Sequence, residues 1–250
     1  MPVKMIVTDL DGTLLRSDLT VSERSAAALK RCREKNIKVV CATGRGGTAS
    51  KIAPVELFDG RIVNNGAVII AGGIVYKRLI SWQEARPFLL ACVRRGFEVT
   101  AQSESMHYTN FDISLRWEHI KNFEIVDFAR HELDSEKIVM TVDSPEQEAF
   151  IKEHLTGNMY LTVARDRLGM IMHRDATKSK ALAELARIWG IKQSEIAAFG
   201  DDLNDIDLLE YSGISVAVGN ALDEVKAAAD YICDTNDNDG AAKWLEENLL

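Results

Sequence analysis

The sequence contains no Cys-x-x-Cys pair. Its four cysteines, Cys32, Cys41, Cys92 and Cys233, stand far apart, which speaks against a zinc site or a thioredoxin-like redox motif. Reduced, half-buried thiols in a cytoplasm are the expectation. Long apolar runs are missing too, and the segments around Val68 and Val216 are only strand-sized. A membrane span needs about 20 apolar residues, so a soluble protein is expected. The amino terminus runs Met1-Pro2-Val3-Lys4 into a short apolar segment that already meets Asp9 and Asp11. A secretory h-region would not tolerate those acids, and no signal peptide is expected. Positive charge is in deficit, with 30 Lys and Arg against 38 Asp and Glu. No basic field exists to attract nucleic acid or anionic lipid, so neither is an expected partner. No internal repeat, low-complexity tract or long Pro/Gly/Ser linker marks a boundary.

What is present is enough apolar residue, 46% of 250, to bury a large core in one big domain or two modest ones. Val3 to Thr8 reads as a strand, followed by a Gly-containing turn and a helix opened by a capping box, Thr20-x-x-Glu23, and stopping near Asn36. Ile37 to Ala42 is a second β-branched apolar run, broken by Thr43-Gly44-Arg45-Gly46-Gly47. The same alternation returns late in the chain. A helix is expected over Lys178 to Trp189, a strand over Ile196 to Phe199 and a helix ending near Tyr211. Ile214 to Val218, Leu222 to Ala229, Tyr231 to Cys233 and Gly240 to Leu249 continue it. This rhythm predicts an α/β fold, a doubly wound, mainly parallel sheet with a Rossmann-like core. Ligands then bind at the carboxyl ends of the strands.

The middle has another rhythm. A hairpin is expected from Ala67 to Ile70 and Ile74 to Tyr76 around Gly72-Gly73, then a helix capped by Ser81-x-x-Glu84, then two α/β units. Lys137 to Val142 leads into a Ser144-Pro145 helix start, and Tyr160 to Ala164 with Gly169 to Met172 look like closing strands. Residues 80–172 are therefore read as an inserted α/β domain, with 1–79 and 173–250 forming the core.

Four clusters carry chemistry. Asp9-Leu10-Asp11-Gly12-Thr13 follows the first strand, and continued extension would turn Asp9 and Asp11 to the same side. Two acids so close raise one another's pKa unless a cation or hydrogen bonds compensate them; a turn satisfied by Asp and Gly is the bland alternative. Gly200-Asp201-Asp202-Leu203-Asn204-Asp205 follows another strand and opens a helix. An N-terminal cap explains one or two acids, but Asp201, Asp202, Asp205 and Asp207 are more than it needs, and a cation would account for them. All-oxygen ligands without His or Cys favour magnesium over zinc. Thr43-Gly44-Arg45 offers a hydroxyl and turn amides to phosphate oxygens. Lys178, in the first turn of a helix, opposes the macrodipole, which suggests an anionic ligand; a solvated lysine beside Lys180 is the alternative.

In this order the clusters resemble the haloacid dehalogenase superfamily of phosphohydrolases, in particular members with an α/β cap between the second and third motifs. Asp-x-Asp-Gly-Thr matches residues 9 to 13 and Gly-Asp-Asp-x-Asn-Asp matches 200 to 205. Asn64-Asn65-Gly66-Ala67, Val216-Ala217-Val218-Gly219-Asn220-Ala221 and Asp239-Gly240-Ala241 look like further landmarks. Ser179 stands where a glycine often follows the motif lysine, Leu208 where methionine is usual, and Gly46-Gly47 is a less familiar continuation after Arg45. The resemblance implies that Asp9 attacks phosphorus, and that Asp11 protonates the leaving oxygen and then activates water against the aspartyl phosphate. It implies magnesium held by Asp9, the Asp11 carbonyl and Asp201, with Asp205 acting directly or through water. Thr43 and Lys178 would bind the transferring phosphoryl oxygens, helped by the Leu10 and Gly44 amides, the Arg45 turn and Asn204. The cap would close over the crevice, with Met106, His107 and Tyr108 as possible contacts that core packing explains equally well. A phosphatase acting on a sugar phosphate or similar small ester is the leading expectation. Phosphoryl transfer to another sugar, and a phosphorylated receiver without catalysis, are the alternatives.

Overall fold

A computed structural model of the chain describes residues 2–118, 120–164 and 167–250. Two compact units appear, Met1–Tyr76 with Thr177–Leu250, and Lys77–Ala176. In the first, β1 (Met5–Thr8) is buried along its length. Val3 and Lys4 lie outside the strand, so it is shorter than its apolar run predicts. Then come α1 (Glu23–Glu34), β2 (Lys38–Ala42), α2 (Ala49–Ile52), β3 (Gly60–Val63), β4 (Val68–Ala71) and β5 (Ile74–Lys77). The cap of α1 corrects the sequence reading. Ser22, not Thr20, accepts from the Ser25 amide, because Asp18 takes both the Thr20 amide and its hydroxyl into a local turn.

The second unit holds α3 (Trp82–Arg94), β6 (Thr100–Ser103), β7 (Met106–Thr109), β8 (Phe123–Ile125), β9 (Lys137–Thr141), α4 (Pro145–His154), β10 (Met159–Val163) and β11 (Leu168–His173). Ser81 and Ser144 cap α3 and α4 as their sequence spacing predicts. Its sheet runs β10-β11-β9-β6-β7-β8, and Phe88, Leu89 and Ile151 from the helices pack on Ala101, Ile138 and Ile171. Tyr108 joins that cluster, 4.6 Å from the His131 ring, so packing accounts for it.

The chain returns to the first unit through α5 (Lys178–Trp189), β12 (Ile196–Gly200), α6 (Ile206–Tyr211), β13 (Ile214–Ala217), α7 (Asp223–Ala228), β14 (Tyr231–Ile232) and α8 (Gly240–Asn248). The eight-stranded order is β14-β13-β12-β1-β2-β3-β4-β5. It is parallel from β14 through β3, with β4 antiparallel to β3. Parallel strands buried on both faces read as continuous apolar runs, which is why β1 and β12 do not alternate in polarity. Met5, Val7 and Ala198 face Leu182, Leu185, Leu208 and Val225 of α5, α6 and α7. On the opposite face Phe199 meets Trp244 of α8 edge-on at 5.4 Å. The chain leaves β1 toward β2 on one side and later adds β12 on the other. The strand order therefore reverses at β1, and a crevice opens at the carboxyl ends there. No helix of the described residues is long and apolar enough to cross a membrane. All four cysteines are free, and burial pushes the Cys41 thiol up to about 12.

Candidate active site

Asp9 follows β1, Asp201 follows β12 and Thr43 follows β2, so three strand ends converge on the switch point. Beyond Asp9 the chain does not stay extended. Leu10–Leu14 makes a helical turn interrupted at Asp11 and Gly12, and the two acids part. Asp9 turns to Lys178, whose Nζ donates to Asp9 Oδ1 at 2.6 Å and to Asp205 Oδ1 at 2.5 Å. Asp11 turns to Arg45, whose Nε and Nη2 each donate to its carboxylate at 2.6 Å. The Asp11 side chain keeps 41% of its exposure, whereas that of Lys178 keeps 1% and that of Asp205 none.

Gly12 makes this turn possible. Its φ is +75°, and a Cβ there would stand 2.5 Å from Asp201 Oδ2. Thr13 closes the contact by donating from Oγ1 to Asp201 Oδ1 at 2.8 Å, a role that sequence spacing does not suggest. Gly200 serves Asp205 in the same way, since a Cβ there would meet the Asp205 Cβ at 2.5 Å. Asp205 Oδ2 accepts from the amides of Asp201 and Asp202, tying the loop to its own acid.

The result is a buried cluster, Asp9, Asp201 and Asp205, with one candidate ligand atom each, all within 4.8 Å of one another. Three carboxylates face one ammonium. Burial holds Asp9 well above the usual carboxylate range; Lys178 opposes this, while Asp205 and Asp201 add to it. Asp201 is pushed up to about 7, by burial first and then by Asp205. Burial would lower Lys178, but Asp205 and Asp9 outweigh it and hold its pKa above the usual range, so it stays charged. Negative charge left over in a dry, all-oxygen donor set fits a small divalent cation such as magnesium, and the absence of His and Cys from the set disfavours zinc.

Not every acid of the late motif joins this cluster, which corrects the sequence reading of four acids around one cation. Asp202 caps the next turn through the Leu203 amide at 2.8 Å. Asp207 accepts from the Ser179 amide and hydroxyl, steadying the first turn of α5 beside Lys178. The Thr43-Gly44-Arg45 turn is closed by the Arg45 amide donating to Thr43 Oγ1 at 3.1 Å, and Thr43 is buried. Asn204 donates from Nδ2 to Asn65 Oδ1 at 2.9 Å. Leu10 is buried, leaving its backbone in the turn between Asp9 and Asp11. Two asparagines outside the expected site staple that first loop. Asn220 Nδ2 donates to Gly12 O, and Asn236 Nδ2 donates to Leu15 O.

Comparison with known proteins bears on what such a site does. The model of a family described as haloacid dehalogenase-like hydrolase matches residues 6–245. A 5-amino-6-(5-phospho-D-ribitylamino)uracil phosphatase, YcsE of Bacillus subtilis, is 28% identical over 99% of this chain and 96% of its own. Among solved structures, BT1666 from Bacteroides thetaiotaomicron, described among phosphatases of that superfamily, is 30% identical, covers 98% of this chain and 95% of its own, and superposes with a TM-score of 0.87. The structure described as the subclass IIB sugar phosphatase BT4131 is 26% identical, covers 98% of both chains and has a TM-score of 0.85.

Proposed function

The chain belongs to the haloacid dehalogenase-like hydrolases and is a phosphoric monoester hydrolase of that type; from that premise we propose that it is magnesium-dependent, works through an aspartyl phosphate on Asp9 and hydrolyses a small sugar phosphate, with residues 80–172 as its cap. One observation carries the reading: in a buried cluster of three carboxylates, Asp9 and Asp205 share Lys178 at the point where the strand order reverses. The sugar-phosphate class is supported by the relatives that act on a phosphoribityl compound and on sugar phosphates.

In this reading Asp9 attacks the phosphorus, the phosphorus–oxygen bond to the organic group breaks, and Asp11 gives that oxygen its proton. Asp11, now ionised, takes a proton from water; the water oxygen bonds to phosphorus, and Asp9 leaves as a carboxylate with inorganic phosphate released. Because Arg45 grips Asp11 at two points, it fixes the orientation of that carboxyl and must yield when Asp11 carries a proton. Lys178 and the Thr43 hydroxyl hold phosphoryl oxygens, with the Leu10 and Gly44 amides and Asn204 as further donors. Asp9, the Asp11 carbonyl and Asp201 would hold the magnesium, with Asp205 supporting it. When bound, the ion offsets the repulsion between an anionic nucleophile and an anionic ester.

The test is phosphate release by the purified protein across a panel of sugar phosphates and other small esters, with magnesium and with a chelator. Release that requires magnesium is expected, highest on sugar phosphates. No release from any ester would sink the proposal.

A further inference from the structure

The Asn64-Asn65-Gly66 turn has no role in the chemistry above, yet its backbone is costly. All three residues have positive φ, 50°, 52° and 103°. Two consecutive left-handed residues other than glycine are uncommon, and such strain persists where the surroundings over-determine it. Here the surroundings are the pieces of the phosphate site. The Asn64 amide donates to Arg45 O at 2.8 Å, and the Asn65 amide donates to Thr43 O at 2.9 Å. The first and last carbonyls of the Thr43-Gly44-Arg45 turn are thus fixed from one side. The Asn65 side chain, 2% exposed, lies against Gly44, where an added Cβ would come 3.2 Å from its Oδ1. The same Oδ1 accepts from Asn204 Nδ2, which decides which way the Asn204 amide faces. Gly66 presses on the residue before Lys178: a Cβ there would stand 2.2 Å from Thr177 O.

Resting on the phosphatase reading, we propose that Asn65 is a positioning residue for the phosphate subsite, clamping the Thr43-Gly44 turn and Asn204 into one donor array. It does not touch the phosphoryl group; it sets the direction of the groups that do. Asn65→Gly keeps the left-handed backbone and deletes the amide, so it isolates the clamp from the turn. Asn65→Asp keeps an acceptor for Asn204 and a residue that tolerates this backbone, but sets a carboxylate beside an anion site.

The measurement is titration calorimetry of inorganic phosphate with magnesium present, alongside calorimetry of magnesium alone and circular dichroism. Asn65→Gly should weaken phosphate about tenfold, the loss of one well-placed hydrogen bond, and Asn65→Asp at least as much. Magnesium affinity should stay at the wild-type value in both. In turnover KM should rise more than kcat falls. Added to Asn204→Ala, Asn65→Gly should cost less than about twofold more, since both cut one link. Wild-type phosphate affinity in either variant, equal losses of magnesium and phosphate affinity, full additivity with Asn204→Ala, or no phosphate binding by the wild type would each overturn the clamp. If Asn65→Gly does not fold, Asn65→Asp decides alone. Turnover of the wild type on the ester panel separately judges the parent reading: an active wild type with an indifferent Asn65 sinks the clamp only.

Discussion

Replacing Lys178 by methionine keeps the length and apolar stem of the side chain but removes the ammonium between Asp9 and Asp205. Asp201 is close by, in the same cluster. Taking away one partner of a buried, hydrogen-bonded ion pair costs about 3–5 kcal/mol, because the partner charge is left uncompensated. The cost depends on pH in a direction the structure fixes. Burial and mutual repulsion raise Asp9 and Asp201 above their unfolded values, Asp201 to about 7. A raised folded pKa adds stability below the unfolded value, about 3.9, and that contribution is lost as pH rises through the folded value. The variant should therefore be weakest at about pH 8 and recover toward about pH 5, where protons replace the missing cation. Urea unfolding in chelator, followed by circular dichroism, should show its midpoint lowered by about 1 M or more at the higher pH and by less at the lower. Magnesium should restore part of the loss at the higher pH. An unchanged midpoint at high pH, or a larger loss at low pH, would refute the claim that Lys178 compensates a surplus of buried carboxylate.

Asp9→Asn should lower turnover at least about 10³-fold with the fold intact, whereas Asp11→Asn should lower it about 10²–10⁴-fold and let the phosphorylated enzyme accumulate; steady-state assays and acid-quench mass spectrometry distinguish them. The apparent affinity for magnesium should fall as pH drops below about 7, because Asp201 must lose a proton to become a ligand. Calorimetry between about pH 8 and about pH 5.5 checks this, and a flat profile contradicts it. Gly12→Ala should cost about 1–3 kcal/mol and most of the activity, since the new Cβ must displace the Asp201 carboxylate and residue 12 holds a φ of +75° that alanine avoids; wild-type turnover in that variant would refute the contact.

The site was legible where chemistry sits at the end of an apolar run. Asp9, Thr43 and Asp201 each follow a strand that is buried on both faces, apart from Lys38 at the start of β2, and Lys178 opens a helix whose limits match the sequence pattern. The α/β architecture followed from the same alternation, because a parallel sheet needs a helix between successive strands. What stayed hidden depends on contacts across the chain. Asn65 and Asn204 are 139 residues apart, and Thr13 and Asp201 are 188 apart. Nothing in local spacing tells a capping acid such as Asp202 from a pocket acid such as Asp201. Thr20 fits a capping box in spelling, but a competing Asp18 turn removes it. The parting of Asp9 and Asp11 comes from the helical turn that begins at Leu10 and breaks the extension that alternation assumes.

During turnover the side chain of residue 9 should become covalently phosphorylated. Borohydride added to the working enzyme with substrate and magnesium reduces an acyl phosphate to the alcohol, and peptide mass spectrometry then locates it. Conversion of Asp9 alone to homoserine, dependent on both substrate and magnesium, is the predicted result. Full turnover with Asp9 unmodified, or conversion at another carboxylate, would show that Asp9 is not the nucleophile.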